Sequence, residues 1–378
     1  MSDGRELAPG KVRRGRSLLA AVAGLGLLAS LPLLIGLLGG DDQGGGSGKP
    51  AGSTGGAEPP PGLQESLSGR LAYIADDPGH PGRQRLWVLD LETGSVIEGT
   101  TFPDVDELHA AGPINSWIVA IGSDGADSVG YLVRNPSASN GSAELARGDL
   151  VSLSTDGNAL LVALSEARRS TRCQDTSYEL RRVVLATFVE RTAFRGRLAC
   201  GTLVAATLLG SRVPVISVVY HGEAQVHLLQ PGDPQVLFRG LAQVAVSASG
   251  SILLEEDRTG ELLVWPGGGT PRPVVTGSRV LADRIVAWSG DGRYVLVDGV
   301  LGDEDGTWRI DAAAGLAEPF PPPGYPLTGG LIAAAFADDG TLFADAPGRI
   351  VAFRATAAFP LSLPSGVPYP TGPVAWLP

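Results

Sequence analysis

The chain has 378 residues, a net charge of −11 and two lysines, Lys11 and Lys49. The acidic charge argues against a nucleic-acid-binding protein, because phosphates are neutralised by lysine and arginine. Because no lysine follows residue 49, the rest of the chain cannot use Schiff-base chemistry, a lysine general base or a P-loop.

A long apolar segment lies near the start of the chain. Residues Ser17–Gly40 include 24 positions without one ionisable side chain, which is enough for a helix to cross a bilayer. Five basic residues precede this segment and two aspartates follow it. Because basic residues stay on the cytoplasmic side, we predict a cytoplasmic tail at 1–16, a single transmembrane anchor at 17–39 and an extracytoplasmic remainder. The alternative is a cleaved signal peptide, which is usually shorter and ends at a small-x-small site.

Residues 40–66 are built mainly from glycine, proline, serine and alanine. Such a composition has few large side chains to bury and cannot offset the entropy of ordering the chain. We therefore expect a flexible linker between the membrane anchor and the region that follows.

Residues 67–378 consist of short apolar runs separated by glycine, aspartate and proline. No helical periodicity is sustained, so this region is predicted to be all-β. A recurring phrase combines an apolar run, a serine or alanine and a glycine turn. It occurs at Val151–Gly157, Val244–Gly250, Val286–Gly292 and Ala334–Gly340. A further strand follows each phrase, as at Leu86–Asp90, where Thr93-Gly94 closes the turn.

These phrases resemble the four-stranded blades of bacterial TolB-like and WD-repeat-like β-propellers. The resemblance covers Leu67–Pro378, with a repeat of about 45 residues. It implies six, seven or eight blades, and seven fits the length best. No innermost strand precedes Arg70–Asp76, whereas Gly372–Pro378 has the pattern of an innermost strand with nothing after it. We therefore expect the two ends to complete one blade; the alternative is a frayed C-terminal tail.

The two cysteines, Cys173 and Cys200, are 27 positions apart and both follow the predicted anchor. An even number of cysteines in an oxidising compartment favours one disulfide. Two buried free thiols are the alternative. Since no histidine accompanies the pair, a structural zinc site is not predicted.

The chain lacks the common catalytic motifs. It has no Gly-x-Ser-x-Gly elbow, no His-Glu-x-x-His and no glycine-rich phosphate loop. We interpret the recurring Asp-Gly pairs as tight turns and the four histidines as turn and strand residues. These histidines are His80, His109, His221 and His227. No catalytic residue, metal or cofactor is predicted.

One segment departs from the acidic background. Glu166–Arg197 contains eight arginines and four acidic residues, a local charge of +4. We expect it to form a long loop and the outer strands of one blade, with the loop on the face opposite the Asp-Gly turns and braced by the disulfide, and to bind a carboxylate or phosphate group. The alternative is a loop that is only solvated. The candidate binding residues are Arg168, Arg169, Arg172, Arg181 and Arg182.

The leading hypothesis for function is a membrane-anchored, extracytoplasmic binding module with a monomeric ectodomain. Its partner is expected to be a protein or an anionic polymer. One alternative is a lactonase-like propeller hydrolase, which needs polar ligands on the innermost strands, where the sequence is largely apolar. The other alternative is a sensor subunit of a membrane complex. A propeller fold by itself does not carry a function.

Overall fold

A computed structural model describes residues 67–112, 116–134, 142–169, 173–230, 234–322, 331, 333–346, 349–354 and 357–378. The predicted tail, anchor and linker at 1–16, 17–39 and 40–66 lie outside these ranges. Among the described residues, no helix is long and apolar enough to cross a membrane.

The described residues form seven antiparallel sheets of four strands each. Each sheet is one blade of a β-propeller, so the described part of the chain is a seven-bladed β-propeller, and the predicted all-β class and blade count of this region are confirmed. Blades 1 to 3 contain β1 (Arg70–Asp76), β2 (Gln84–Asp90), β3 (Val96–Phe102), β4 (Glu107–Ala111), β5 (Trp117–Asp124), β6 (Asp127–Val133), β7 (Ser142–Gly148), β8 (Leu150–Leu153), β9 (Ala159–Arg169), β10 (Gln174–Val184) and β11 (Val189–Leu198).

Four further blades complete the ring, each with its strands in chain order from the innermost to the outermost. Blades 4 and 5 contain β12 (Gly201–Leu209), β13 (Val213–Tyr220), β14 (Glu223–Leu229), β15 (Pro234–Arg239), β16 (Leu241–Val246), β17 (Ile252–Glu256), β18 (Leu262–Trp265) and β19 (Arg272–Pro273). Blades 6 and 7 contain β20 (Val280–Trp288), β21 (Tyr294–Leu301), β22 (Glu304–Asp311), β23 (Leu316–Pro319), β24 (Ala334–Phe336), β25 (Leu342–Ala346), β26 (Arg349–Arg354) and β27 (Ala357–Leu361).

The last strand, β28 (Val374–Leu377), closes the ring. It pairs antiparallel with β1, with Leu377 opposite Arg70 and Val374 opposite Tyr73, and forms the innermost strand of blade 1. The two ends of the propeller sequence therefore complete one blade, as the repeat pattern predicts. The alternative of a frayed tail is wrong.

The core lies between the blades. The described residues form seven apolar clusters, and each cluster joins two neighbouring blades. One of them joins blade 7 to blade 1 and includes Phe343, Leu71 and Tyr73. Because side chains alternate along a strand, a strand buried between two blades contributes to both neighbouring clusters. Blades are thus sandwiched on both faces, and this explains the short, continuous apolar runs in the sequence.

The recurring Ser-x-Asp-Gly phrase forms the turn between the first and second strands of a blade. In blade 3, Ser154 Oγ donates to Asp156 Oδ1 (2.7 Å) and accepts the amide of Ala159 (2.9 Å), while Gly157 has a φ of 67°. In blade 6, Ser289 and Asp291 make the same hydrogen bond at 2.6 Å. Turn geometry therefore accounts for these aspartates without a ligand.

Two faces of the disc can be distinguished. We call the face with the turns after the first and third strands the turn face, and the opposite one the connection face. Longer loops were expected on the connection face, and this expectation is only partly correct. Two residues join β5 to β6, β13 to β14 and β21 to β22, whereas residues 77–83 and the connections at 320–333 and 362–373 are longer.

Asp77 holds together the longer loop between β1 and β2. Its buried carboxylate accepts hydrogen bonds from Arg85 (2.8 Å), Thr101 (2.9 Å) and the amide of Gly79 (2.8 Å), and His80 Nδ1 lies 2.9 Å away. Burial opposes ionisation, but these hydrogen bonds outweigh it and lower the pKa of Asp77. His80 is thus a turn residue, as predicted.

Two leucines test whether β28 is an integral strand. Leu377 is 1% exposed, whereas Leu316 at the start of β23 is 65% exposed. We expect Leu377→Ala to lower the free energy of unfolding by about 2–5 kcal/mol, because it leaves a cavity in the packed interface between blades 1 and 2. The measurement is urea-induced unfolding followed by tryptophan fluorescence.

Leu316→Ala is the matched control and should change stability by less than about 0.5 kcal/mol. Equal effects of the two substitutions would show that β28 contributes nothing to the closed ring.

Candidate functional site

The third blade extends beyond the disc on the connection face. Its innermost strand, β8, has four residues and pairs with Leu160–Ala163 of β9, whereas β9 and β10 have 11 residues each. Beyond Ala163, the segment Leu164–Arg169 continues to pair with Gln174–Glu179 of β10. Six residues at about 3.3 Å each make an extension of about 20 Å. The Arg-rich segment is therefore mostly strand: the expected outer strands are present, but β9 and β10 take up most of what was expected to be a long loop.

The disulfide fixes this extension to the next blade. Cys173, just before β10, is bonded to Cys200, which lies between β11 and β12, and their Cα atoms are 5.0 Å apart. Asp175 Oδ1 accepts the amide of Cys200 (3.0 Å), and this hydrogen bond, followed by the ion pair with Arg197, lowers the pKa of Asp175. The predicted pairing of the cysteines is confirmed, and it ties the extension to the connection between blades 3 and 4.

The extension has one packed side and one open side. Thr176 and Tyr178 are buried on the side that faces blade 4, and Thr176 Oγ1 donates to the carbonyl of Gly201 (2.7 Å). On the other side of the sheet, Val162 and Val183 pack against blade 2. Because side chains alternate along a strand, the charged residues of the extension project on the same side as these two valines. We call this open side the charged face; it comprises Glu166, Arg168, Asp175, Glu179, Arg181, Arg195 and Arg197.

Ion pairs connect the arginines of the charged face. Glu179 accepts hydrogen bonds from Arg195 (3.2 Å), Thr192 (2.9 Å) and Arg181 (3.0 Å), and these bonds lower its pKa to about 2. Arg181 also pairs with Glu190 at 3.0 Å. Two more pairs lie nearer the tip, Arg197–Asp175 at 2.5 Å and Arg168–Glu166 at 3.2 Å. Among the described side chains, the four acidic residues of the segment thus pair with Arg168, Arg181, Arg195 and Arg197.

Pairing does not hide these arginines. The side chains of Arg168, Arg195 and Arg197 are 71%, 70% and 69% exposed, whereas those of Glu179 and Asp175 are 22% and 16% exposed. The guanidinium groups therefore form the outer layer, with two of their carboxylate partners beneath them. Since a guanidinium has five N–H donors, each group retains donors that point to solvent.

The structure does not bring all five predicted binding residues together. Arg168 and Arg181 belong to the charged face, but Arg182 lies on the opposite side of β10, directly across from Arg191. Seven positions separate Arg182 from Asp175, the residue opposite Arg168, which corresponds to about 23 Å. For Arg169 only the backbone is described, and Arg172 lies outside the described residues. Arg195 and Arg197 belong to the face but were absent from the predicted set.

Arg195 and Arg197 could have been assigned to the charged face from the sequence only if their segment had been recognised as a strand. Residues 189–198 show no apolar alternation, because the outer strand of the extension has almost no buried side, and this segment therefore resembles a loop.

Arg134 in blade 2 is a further residue that no sequence pattern indicated. Its guanidinium lies 4.7 Å from the Trp117 ring and 4.5 Å from the Phe188 ring, and it donates to the Leu185 carbonyl (2.9 Å). This contact holds the turn at the other end of β10.

Metal-ligating side chains meet at one place within the described ranges, where Cys173, Asp175 and Cys200 lie together. Both sulfurs are engaged in the disulfide, so in this form the trio does not offer a metal site. On the innermost strand of blade 2, His109 Nε2 lies 2.9 Å from Glu107 Oε2. On blade 4, His227 Nε2 lies 3.0 Å from Gln225 Oε1. Both histidines are satisfied by strand neighbours.

Asp345 is the most unusual carboxylate among the described residues. It is 1% exposed, and within the described part of the chain neither of its oxygens has a hydrogen-bond partner. Asp345 and Phe343 are two positions apart in β25, so their side chains lie on the same side of the strand. Phe343 packs in the interface between blades 7 and 1. Burial raises the pKa of Asp345 to about 7. Glu255 occurs at the corresponding position of blade 5, and burial followed by the charge of Asp257 raises its pKa to about 7.

Known structures share the fold of this chain. The β-propeller domain of the trilobed protease from Pyrococcus furiosus superimposes with a TM-score of 0.50 at 10% identity, over 78% of this chain and 93% of that domain. That domain is described as having an open velcro topology, whereas the pairing of β28 with β1 closes the present ring.

Two further structures are similar to a lower degree. Acylaminoacyl peptidase from Pyrococcus horikoshii has a TM-score of 0.48 at 10% identity, over 77% of this chain and 52% of the peptidase. TolB from Acinetobacter baumannii has a TM-score of 0.40 at 15% identity, over 82% of this chain and 67% of TolB. The chain thus spans about half of the peptidase. The resemblance to TolB-like propellers is confirmed at the level of the fold. No family model and no curated protein matches the chain.

The disulfide should contribute measurably to stability. We expect Cys173→Ala to lower the free energy of unfolding by about 3–4 kcal/mol, because the bridge closes a loop of 27 residues in the unfolded chain. Urea unfolding with and without a reductant measures this loss. Cys200→Ala should have the same effect, and neither variant should respond to the reductant. Two alkylatable thiols in unreduced, denatured wild-type protein would contradict the bridge.

The buried Asp345 predicts a pH dependence of stability. Between pH about 4 and about 7, the Asp345 carboxyl loses its proton in the unfolded state but keeps it in the folded state. The free energy of unfolding of the wild type therefore falls as the pH rises through this window. Asp345→Asn removes the ionisation. We therefore expect the stability of the variant relative to wild type to increase by up to about 3 kcal/mol from pH 5 to pH 8.

Asp90→Asn is the control for this measurement. Hydrogen bonds from the side chain and amide of Thr93 lower the pKa of Asp90, so its carboxylate is ionised in both states throughout the same window. Its effect on stability should not change between these two pH values. If Asp345→Asn is equally insensitive to pH, its carboxyl is not held neutral by burial.

Proposed function

We propose that this chain is a membrane-anchored, extracytoplasmic binding propeller that engages an anionic partner through the charged face of its third blade. The observation that carries the proposal is the disulfide-braced extension of that blade, with arginine as its outermost layer. The other blades supply the rigid disc, and the extension supplies the recognition surface.

The chemistry of arginine supports an anionic partner. A guanidinium presents a planar fork of donors that matches carboxylate and phosphate groups. Arg195 and Arg197 are held in place by Glu179 and Asp175 beneath them, so little side-chain entropy is lost when their outer donors bind. The bound partner thereby meets a surface that is ordered in advance.

Arg168 of the charged face and the two other sequence-derived candidates nearest to it in the chain, Arg169 and Arg172, test this function. The variant Arg168→Ser, Arg169→Ser, Arg172→Ser leaves the ion pairs of Glu179 and Asp175 intact, so folding should be unaffected. We expect the purified full-length chain in detergent micelles to bind polyglutamate, and the variant to bind it about tenfold more weakly. The salt dependence of binding should also be smaller in the variant, because fewer charge pairs form.

A second triple variant, Arg83→Ser, Arg258→Ser, Arg272→Ser, is the matched control, since it removes the same charge from exposed positions on other blades. It should bind polyglutamate like the wild type. Equal weakening by the two triple variants would show that net charge, rather than the third blade, determines binding. Equal binding by wild type and both variants at low and high salt would contradict the proposed function.

A further inference from the structure

The seven blades differ in their outermost strands, which form the rim of the disc. Four of these strands are short and contain a proline: β15 with six residues, β19 with two, β23 with four and β27 with five. A proline has no N–H and therefore interrupts the row of main-chain donors that an added strand needs. These four edges are poor templates for another strand.

The outer strand of blade 3 differs in each of these respects. β11 has ten residues and no proline, and most of its residues are exposed. The outer strands of blades 1 and 2, β3 and β7, also lack proline, but they have seven residues each and are more buried. Because β11 is the last strand of its sheet, one row of its main-chain N–H and C=O groups faces away from β10. This is the geometry that strand addition requires.

The side chains of β11 restrict which strand can be added. Arg195 and Arg197 project on the charged face and Arg191 projects on the opposite side, and all three are exposed. In several antiparallel registers a second copy of β11 would pair arginine with arginine, for example Arg191 with Arg195, and like charges directly opposite each other are destabilising. An acidic segment would place carboxylates opposite the arginines instead. The edge thus favours an acidic strand over a second copy of itself.

Apolar side chains lie at one end of the same edge. Phe188 is 46% exposed and Val189 is 42% exposed, and Arg134 stacks on the Phe188 ring at 4.5 Å. Large hydrophobic side chains with this exposure are few among the described residues. An added strand would therefore meet an apolar contact at the start of β11 and arginines further along.

We propose that β11 is a docking edge for an extended, acidic segment of a partner protein, which binds by strand addition. The inference rests on the proposed function, because it specifies how the anionic partner of the third blade is held. Main-chain hydrogen bonds to β11 provide the affinity. Acidic residues two positions apart, opposite Arg195 and Arg197, provide the selectivity, and apolar residues between them lie on the other side of the added strand.

The test uses the full-length chain and two peptides of equal charge. The first is Thr-Val-Glu-Val-Glu-Val-Thr; the second carries proline in place of the central valine and cannot donate from that position. We expect the first peptide to bind at least tenfold more tightly than the second. Its binding should also slow hydrogen exchange of main-chain amides in Val189–Leu198, which charge pairing alone would not do.

Two variants identify the edge. Arg191→Glu removes a positive charge from β11 and places a carboxylate opposite Arg182, so the fold should be retained; we expect it to weaken the first peptide about tenfold. Arg239→Glu makes the same change at an exposed position on β15, next to a proline-containing edge, and should leave binding unchanged.

The outcomes separate this inference from the function on which it depends. If both peptides bind equally, or if polyglutamate binds at the third blade while the peptide protects no amide of β11, strand addition is wrong and the binding function stands. If neither the peptides nor polyglutamate bind, both are wrong. Equal weakening by the two glutamate variants would also overturn the docking edge.

Discussion

The burial of each blade between two neighbours is the constraint on which the rest of this structure depends. Every blade carries apolar side chains on both faces, so no blade is stable at an open end, and the ring must close. Each of the seven interfaces between neighbouring blades is filled by one apolar cluster of the described residues. β28 has four residues, yet Val374 contributes to the interface with blade 7, and Ala375 and Leu377 contribute to the interface with blade 2.

Polar residues are placed so that they do not compete with this packing. Ser154 and Asp156 satisfy main-chain amides inside a tight turn, and Asp77 collects several donors within a single loop. Their hydrogen bonds are local and depend on few neighbours. Asp345 is the exception among the carboxylates, because its carboxyl group is buried in an apolar interface without a partner among the described residues. Neutralisation, rather than pairing, is the less costly state for such a group.

The third blade shows how a recognition surface can be added to a closed ring. Strands β9 and β10 continue past the disc, where blade 2 no longer covers them, and the open side can therefore carry charge. The packed side still uses Thr176 and Tyr178 against blade 4, and the disulfide holds the tip. The scaffold and the charged face are thus parts of one sheet, and the rigidity of the disc is transmitted to the arginines.

The sequence by itself determined the all-β propeller class, and it favoured seven blades, closure by the C-terminal strand and the pairing of Cys173 with Cys200 over their alternatives. These features depend on local patterns that recur along the chain: apolar runs, Ser-x-Asp-Gly turns and an even number of cysteines. Only the tertiary structure decided how much of the Arg-rich segment is strand and how little of it is loop. It also decided that Arg182 lies away from Arg168, and that Arg195 and Arg197 belong to the same face. The physical reason is that alternation reveals a strand only where one side is buried, and ion pairs such as Arg195–Glu179 depend on a cross-strand register that no local pattern specifies.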